Sequence, residues 1–115
     1  MNEALTRAVE RLSRVPGVRG ALVVETRAGV PVVEEVREGE QAGAVAALAA
    51  ALYGRAGRAV ESAGFGGLVS LQLEGRGGHL VAAGAGDLVV VALADADAAL
   101  GLVRLEVQRA AEAVR

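Results

Sequence analysis

Residues 42–52 read AGAVAALAAAL, eleven consecutive positions without a polar side chain. Alanine favours helix, and the run is longer than a typical buried strand, so it predicts a helix within residues 40–62 despite Gly43 and Gly54. A helix on the outside of a single sheet buries one stripe of side chains and leaves the remainder in water. This helix is apolar on every side, so we expect its outer side to be covered by another chain.

The simplest partner for this helix is the same helix from a second copy of the chain. Its alanines and glycines would let another helix approach closely, and equivalent surfaces would meet in a two-fold homodimer. The segment at residues 68–74 alternates between apolar and polar side chains, which predicts an edge strand that can pair with its mate. The alternative is that loops of the same chain fold over the helix. The predicted dimer interface consists of Ala44, Val45, Ala47, Leu48, Ala51, Leu52, Val69, Leu71 and Leu73.

The chain before this helix predicts a helix and a hairpin. Residues 3–15 place apolar side chains at helical spacing with charged side chains opposite, which indicates an amphipathic helix. Residues 20–24 are apolar without alternation, as in a strand that is covered on both faces. A turn at residues 27–29 leads into residues 30–33, where Pro31 marks an edge strand.

Two further strands and a helix are predicted after the alternating segment. Residues 79–83 and 88–93 are strand-like runs that follow glycine-containing turns, and the second run is wholly apolar, as expected at the centre of a sheet. Asp95 and Asp97 are predicted to be N-caps of a final helix over residues 97–114. The predicted buried stripe of this helix is Ala99, Val103, Val107, Ala110 and Val114.

These elements follow one another in the order α-β-β-α-β-β-β-α. The uninterrupted apolar strands belong at the centre of the sheet, and the proline-containing and alternating strands belong at its edges. Hairpin connections then give the spatial order 2-1-5-4-3 with helices on both faces. The predicted fold is α/β (α+β), a three-layer α/β/α sandwich with a five-stranded, mostly antiparallel sheet, and residues 1–115 form a single domain.

Composition excludes several classes of protein. The chain has 115 residues with no Cys, no Lys and one His, so thiolate zinc sites, cysteine nucleophiles, multi-histidine metal sites and a Walker-type phosphate loop are excluded. Its net charge is −2 and only 2% of its residues are aromatic, so we expect no nucleic-acid binding. The sequence shows no secretory signal and no apolar run of membrane-spanning length. We therefore expect a cytoplasmic protein without direct membrane insertion.

The residues that could carry chemistry have simpler structural interpretations. The glycine clusters do not complete a G-x-G-x-x-G fingerprint, and hairpin turns explain them better. Asp95 and Asp97 could offer carboxylates to a hard cation, but helix capping is the favoured interpretation. His79 has no nucleophile or carboxylate nearby in sequence, so we expect a partly exposed strand residue. No catalytic, cofactor-binding or metal-binding residue is predicted, and we expect a protein without enzymatic activity or cofactor.

Two parts of the chain resemble a known family. Residues 17–24, GVRGALVV, and residues 29–32, GVPV, resemble the opening hairpin of the roadblock family. Residues 94–105, ADADAALGLVRL, resemble the segment that joins its last strand to its last helix, where family members often carry Asn at the place of Ala99. The family is named for dynein light chains and is shared with bacterial gliding-motility regulators of the MglB type.

This resemblance implies a non-enzymatic homo- or heterodimer that forms a continuous sheet through its third strand and packs its middle helices together. It also implies a scaffold or regulator of small Ras-like GTPases, and the MglB type stimulates GTP hydrolysis by reshaping the active site of its partner. The implied partner surface consists of the paired middle helices and adjoining loops, with Tyr53, Arg55 and Arg58 as candidate contacts. A small-ligand sensor of similar architecture is the alternative, although few convergent polar groups are present to orient a ligand.

Overall fold

The computed structural model describes residues 3–115, which form helices and strands in the predicted order. In chain order the elements are α1 (Glu3–Ser13), β1 (Val18–Glu25), β2 (Val30–Val36), α2 (Ala42–Ser62), β3 (Ser70–Gly75), β4 (Gly78–Ala85), β5 (Leu88–Asp95) and α3 (Leu100–Val114).

The five strands form one sheet in the order β2-β1-β5-β4-β3, which confirms the predicted topology, and every pairing is antiparallel. β5 lies at the centre because its apolar run is covered on both faces, and Val89, Val90 and Val91 are fully buried. β2 contains Pro31 and forms one edge, since proline cannot donate a hydrogen bond to a neighbouring strand. β3 forms the opposite edge.

The helices α1 and α3 cover one face of the sheet, and α2 covers the other. α1 is the amphipathic helix predicted from its sequence spacing, because Leu5, Val9 and Leu12 are buried while its charged residues are exposed. The core beneath α1 and α3 includes Val18, Ala21, Val23, Val81, Val90, Ala92, Val103 and Val107. This arrangement confirms the predicted three-layer sandwich.

The position of α2 leaves part of its face of the sheet uncovered. The helix packs mainly on β1 and β2. Its buried residues are Ala46, Ala49 and Ala50, so small side chains bring the helix backbone close to the sheet. The β1–β2 turn also approaches the helix, because a Cβ atom on Gly29 would lie 3.3 Å from the Cα of Ala47. The β3–β4 side of this face therefore has less cover.

α3 begins later than predicted, and neither Asp95 nor Asp97 caps it. The helix starts at Leu100, with Ala99 at the N-cap position and no side-chain cap hydrogen bond. Asp95 is instead the last residue of β5, and its carbonyl oxygen accepts a hydrogen bond from the Ala98 amide at 3.1 Å. This turn separates the strand from the helix and leaves Asp97 exposed.

The buried stripe of α3 differs from the prediction at two positions. Ala99 lies before the helix and is exposed, so its place in the stripe was wrong. Ala111 is buried, although the prediction omitted it. The other predicted members pack into or against the core: Val103, Val107, Ala110 and Val114.

β3 starts later than the predicted strand over residues 68–74. The carbonyl oxygens of Leu68 and Val69 accept hydrogen bonds from the Tyr53 hydroxyl at 3.1 and 3.3 Å. These residues are therefore tied to α2, and the strand begins only at Ser70.

Candidate functional site

One flank of α2 presents its largest apolar side chains to solvent. Leu48 is 65% exposed and Leu52 is 40% exposed. Ala44 and Ala51 lie on the same flank and are also exposed, since residues three and four apart are neighbours on a helix surface. A surface helix normally turns its large apolar residues toward the core. In α2, the side chains that face the core are alanines and the large side chains that face solvent are leucines. This pattern is typical of a helix that packs against a second surface besides its own sheet.

The partly uncovered sheet face continues this apolar flank. Leu71 of β3 and Leu80 of β4 belong to the same apolar cluster as Val45 and are only partly buried. Leu73, which pairs with Leu80, is 37% exposed. We call the combined patch the α2–β3 surface; its residues are Ala44, Leu48, Ala51, Leu52, Leu71, Leu73 and Leu80.

The edge of β3 borders the α2–β3 surface. β3 is the last strand of the sheet and pairs with β4 on one side, so its other side presents unpaired backbone groups. Gln72, on the opposite face of the sheet from Leu71, accepts a hydrogen bond from the Arg104 guanidinium of α3 at 3.4 Å. An apolar patch beside a free strand edge can bind another chain by strand pairing and by helix packing together.

The loop after α2 displays Phe65, the single phenylalanine of the chain, which is 80% exposed. The Gly64 amide donates a hydrogen bond to the Glu61 carbonyl oxygen at 2.9 Å. The Phe65 amide donates one to the Val60 carbonyl oxygen at 3.1 Å. With Gly64 at a φ of 83°, these bonds form a Schellman motif that fixes the loop. The apolar residue at this place of the motif normally packs back onto the helix. Phe65 instead remains exposed, as an aromatic contact residue for a partner does.

Tyr53 is held by the fold of its own chain. Its hydroxyl donates to the carbonyl oxygens of Leu68 and Val69, and a Cβ atom on Gly84 would lie 2.5 Å from the hydroxyl oxygen. Burial raises the pKa of the phenol. Tyr53 therefore positions the loop between α2 and β3, and its predicted role as a partner contact stays a prediction.

Arg55 and Arg58 lie on the exposed side of α2 in its C-terminal half. Neither makes an ion pair within residues 3–115, so both guanidinium groups are accessible. Accessible arginines next to an apolar patch are common in protein interfaces. The structure thus places these two predicted contacts next to the α2–β3 surface.

The other end of the sheet carries a polar cluster around Arg19. Its guanidinium lies 2.8 Å from Glu40 and 3.7 Å from Asp95, so it links the segment before α2 to the end of β5. The hydrogen bond to Glu40 raises the pKa of Arg19. The nearby His79 is partly exposed, as predicted, and one ring nitrogen lies 3.3 Å from the Ala96 carbonyl oxygen. This arrangement ties elements together and offers no activated nucleophile.

Within residues 3–115, no three potential metal ligands lie together, and no helix is long and apolar enough to cross a membrane. The exposed apolar side chains of the α2–β3 surface make it the candidate interaction surface in this part of the chain. Its geometry suits another polypeptide, because it combines a helix flank with a strand edge.

The family assignment follows from sequence comparison. The Roadblock/LC7 domain model matches residues 5–94. The chain belongs to the Roadblock/LC7 family. An uncharacterized protein of the archaeon Methanocaldococcus jannaschii is 32% identical over 111 residues, which cover 96% of this chain and 93% of that relative.

Two solved structures share the fold of this Roadblock/LC7 chain. MglB of Myxococcus xanthus aligns with a TM-score of 0.87 at 20% identity, over 97% of this chain and 92% of that chain. A structure described as MglB with a tetrameric arrangement aligns with a TM-score of 0.85 at 24% identity, over 97% of this chain and 85% of that chain.

The Roadblock/LC7 fold places most of the predicted interface residues on one side of the molecule. Ala47 is one exception, because it faces the β1–β2 turn rather than the flank that carries Leu48. Val69 is the other exception, because it precedes β3, is 70% exposed and lines a pocket with residues of α3, on the opposite face of the sheet from Leu71. Phe65 was missed by sequence reasoning. The signal that could have found it is a lone aromatic residue between glycines in a chain with almost no aromatic residues.

Proposed function

We propose that this Roadblock/LC7 protein is a non-enzymatic homodimer that regulates or scaffolds a small Ras-like GTPase. The observation that carries the proposal is the α2–β3 surface, where exposed leucines lie beside an unpaired strand edge. Exposed apolar patches of this kind mark interaction sites in water.

In the proposed dimer, the β3 strands of two copies pair antiparallel and join their sheets. Each α2 then lies over the sheet face that the partner's own helix leaves uncovered. Leu48 and Leu52 of one protomer would contact leucines of the other, and the small residues of α2 would allow the two helices to approach closely. Burial of these side chains removes apolar surface from water and stabilises the dimer. The tetrameric arrangement described for an MglB structure supports self-association as a property of related chains.

The GTPase is proposed to bind across the paired α2 helices and the loops that follow them. Arg55 and Arg58 supply positive charge there, and Phe65 supplies an aromatic contact. In this proposal, any stimulation of GTP hydrolysis acts by reshaping the active site of the partner. A cytoplasmic location belongs to the same proposal, because the partner would be a cytoplasmic GTPase.

The test is a binding and turnover assay against the Ras-like GTPases of the source organism. Immobilised protein is incubated with each GTPase loaded with a non-hydrolysable GTP analogue or with GDP, and single-turnover GTP hydrolysis is followed in parallel. We expect retention of one GTPase in a nucleotide-dependent manner, with faster hydrolysis if the protein is an activator and an unchanged rate if it is a scaffold.

The variant Arg55→Glu/Arg58→Glu should weaken this retention, whereas Arg11→Glu/Arg14→Glu, around the C-terminal end of α1 on the opposite face of the sheet, should leave it unchanged. Retention of no GTPase in either nucleotide state, together with unchanged hydrolysis rates, would contradict the proposal. An equal loss in the control variant would show that the retention depends on overall charge.

A further inference from the structure

A groove of about 140 Å³ runs between α1 and α3, on the face of the molecule opposite α2. Ala8, Leu12 and Ala110 lie at its base and are buried in the apolar core. Ala4 and Ala113 extend its sides. Short side chains on both helices thus leave a gap with an apolar floor. A cavity of about 150 Å³ can hold a benzene-sized group, so the gap has room for one large apolar side chain.

The rim of this groove is predominantly positive. Arg7 and Arg11 lie on α1 and Arg109 lies on α3, whereas Glu106 is the one acidic residue among the described residues that line it. Leu102 lies one helical turn before Glu106 on the same side of α3 and is 41% exposed. The groove therefore combines an apolar floor, a neighbouring apolar side chain and an excess of guanidinium groups.

The existing ion pairs leave these guanidinium groups accessible. Arg7 lies 3.6 Å from Glu3, and Arg109 lies 3.2 Å from Glu106, with both arginine side chains largely exposed. Exposed pairs of this kind contribute little, because water and salt screen them. In the part of the chain that the structure describes, Arg11 makes no ion pair. A ligand carboxylate can therefore bind Arg11 without displacing another acid.

We infer that the α1–α3 groove receives an acidic amphipathic helix of a partner protein. One large apolar side chain of that helix enters the groove, and Glu or Asp residues one turn away on either side bind Arg11 and Arg109. Guanidinium groups bind carboxylates through paired hydrogen bonds, which gives both affinity and orientation. An apolar residue flanked by acids at helical spacing is the complement of this surface in shape and in charge.

This site is separate from the surface used in the proposed function. α1 and α3 lie on the opposite face of the sheet from α2, so the acidic helix of the partner can bind while the α2–β3 surface is occupied. A dimer would present two such grooves, and a partner with two acidic helices would gain affinity from both. The inference concerns the monomer fold and does not depend on a GTPase partner.

A flat anionic membrane fits the geometry less well, because the apolar floor lies between two helices and a bilayer surface would contact only the arginines on the rim. Binding to a membrane would depend on charge alone and would not involve contacts with Ala8 or Leu12. The two possibilities are separated by testing a helical peptide and lipid vesicles side by side.

The probe is a fluorescein-labelled helical peptide in which one leucine stripe is flanked by Glu at i±4, and its control carries Lys in place of Glu. Binding is measured by fluorescence anisotropy and by amide chemical-shift changes in the ¹⁵N-labelled protein. The variant Arg11→Glu/Arg109→Glu tests the groove, and Arg27→Glu/Arg37→Glu, at two exposed positions outside the groove, is the matched charge control. A parallel arm uses vesicles of phosphatidylserine and phosphatidylcholine. Circular dichroism checks that each variant is folded.

We expect the Glu peptide to bind and the Lys peptide not to bind, with shift changes centred on Ala8, Arg11 and Ala110. The groove variant should weaken binding about tenfold and the control should not, because reversing both charges replaces two attractions to the peptide carboxylates with two repulsions. Shift changes elsewhere, equal weakening by Arg27→Glu/Arg37→Glu, equal binding of the Lys peptide, or failure of the Glu peptide to bind, with or without binding to vesicles, would each overturn the inference.

Discussion

The hydroxyl of Tyr53 in α2 donates a hydrogen bond to the carbonyl oxygen of Leu68 at 3.1 Å. This contact joins the helix to the segment that leads into the edge strand β3. Both elements contribute to the α2–β3 surface, so Tyr53 fixes their relative position. Its ring also lies against β4 at Gly84, where a Cβ atom would come 3.2 Å from the ring carbon that bears the hydroxyl.

Removal of this hydroxyl should destabilise the protein without changing the packing of the ring. For Tyr53→Phe we expect the free energy of unfolding to fall by about 1 kcal/mol, because the loss leaves the part-buried Leu68 carbonyl without its donor. Urea denaturation at fixed protein concentration measures this difference. An unchanged urea midpoint would show that the loop is held without Tyr53.

The same residue predicts a pH effect in the alkaline range. Tyrosine in an unfolded chain has a pKa of about 10, and burial raises the pKa of Tyr53 in the folded state. The folded state therefore retains the proton longer than the unfolded state, so the free energy of unfolding falls as the pH rises above about 10. We expect the free energy of unfolding to fall less with rising pH in Tyr53→Phe than in the native protein. Identical pH profiles for the two proteins would show that Tyr53 is not the group responsible.

Two adjacent glycines, the last residue of the β3–β4 turn and the first residue of β4, should respond differently to alanine. A Cβ atom on Gly78 would lie 2.5 Å from the carbonyl oxygen of Ala94, which is backbone of the paired strand and cannot move freely. We expect Gly78→Ala to cost about 1–3 kcal/mol through overpacking. Gly77→Ala is the matched control, because nothing lies within 4 Å of its Cβ position, and it should change stability by less than about 0.5 kcal/mol. Equal thermal midpoints for the two variants would contradict this account of the turn.

The start of α3 offers a stabilising substitution. Ala99 occupies the N-cap position, is exposed, and has no side-chain oxygen to accept an amide hydrogen bond from the first turn. Ala99→Asn should raise the free energy of unfolding by about 1 kcal/mol, since Asn is among the preferred N-cap residues. Ala96→Asn, in the exposed turn before the helix, is the control and should have little effect. A gain in the control but not at position 99 would place the helix start elsewhere.

The topology could be predicted because burial is encoded in side-chain type along each strand. The valines at 89–91 have no polar neighbours and occupy the sheet centre, whereas Pro31 and the alternation of Leu71 with Gln72 mark the edges. The exposed apolar flank at Leu48 could also be predicted from the sequence. Residues 42–52 are apolar on every side of the helix, and a sheet covers only one side.

The start of α3 and the details of the site could not be predicted in the same way. Asp95 and Asp97 have the chemistry of helix caps, but Asp95 ends a strand beside Arg19, a contact between residues far apart in sequence. Ala111 and Ala99 cannot be distinguished by hydrophobicity, and only tertiary packing separates them. The orientation of Phe65 depends on a helix-terminating motif, and the α1–α3 groove depends on how two distant helices pack.

The central claim is that two copies associate through the α2–β3 surface, and sedimentation equilibrium at micromolar concentration tests it most directly. We predict a mass of twice the chain's 11.6 kDa for the native protein and for Leu105→Glu, a matched exposed leucine of α3. Leu48→Glu should sediment as a folded monomer, because it places a charge in the apolar patch. A native protein that is monomeric under these conditions, or a Leu48→Glu variant that remains dimeric, would contradict the account.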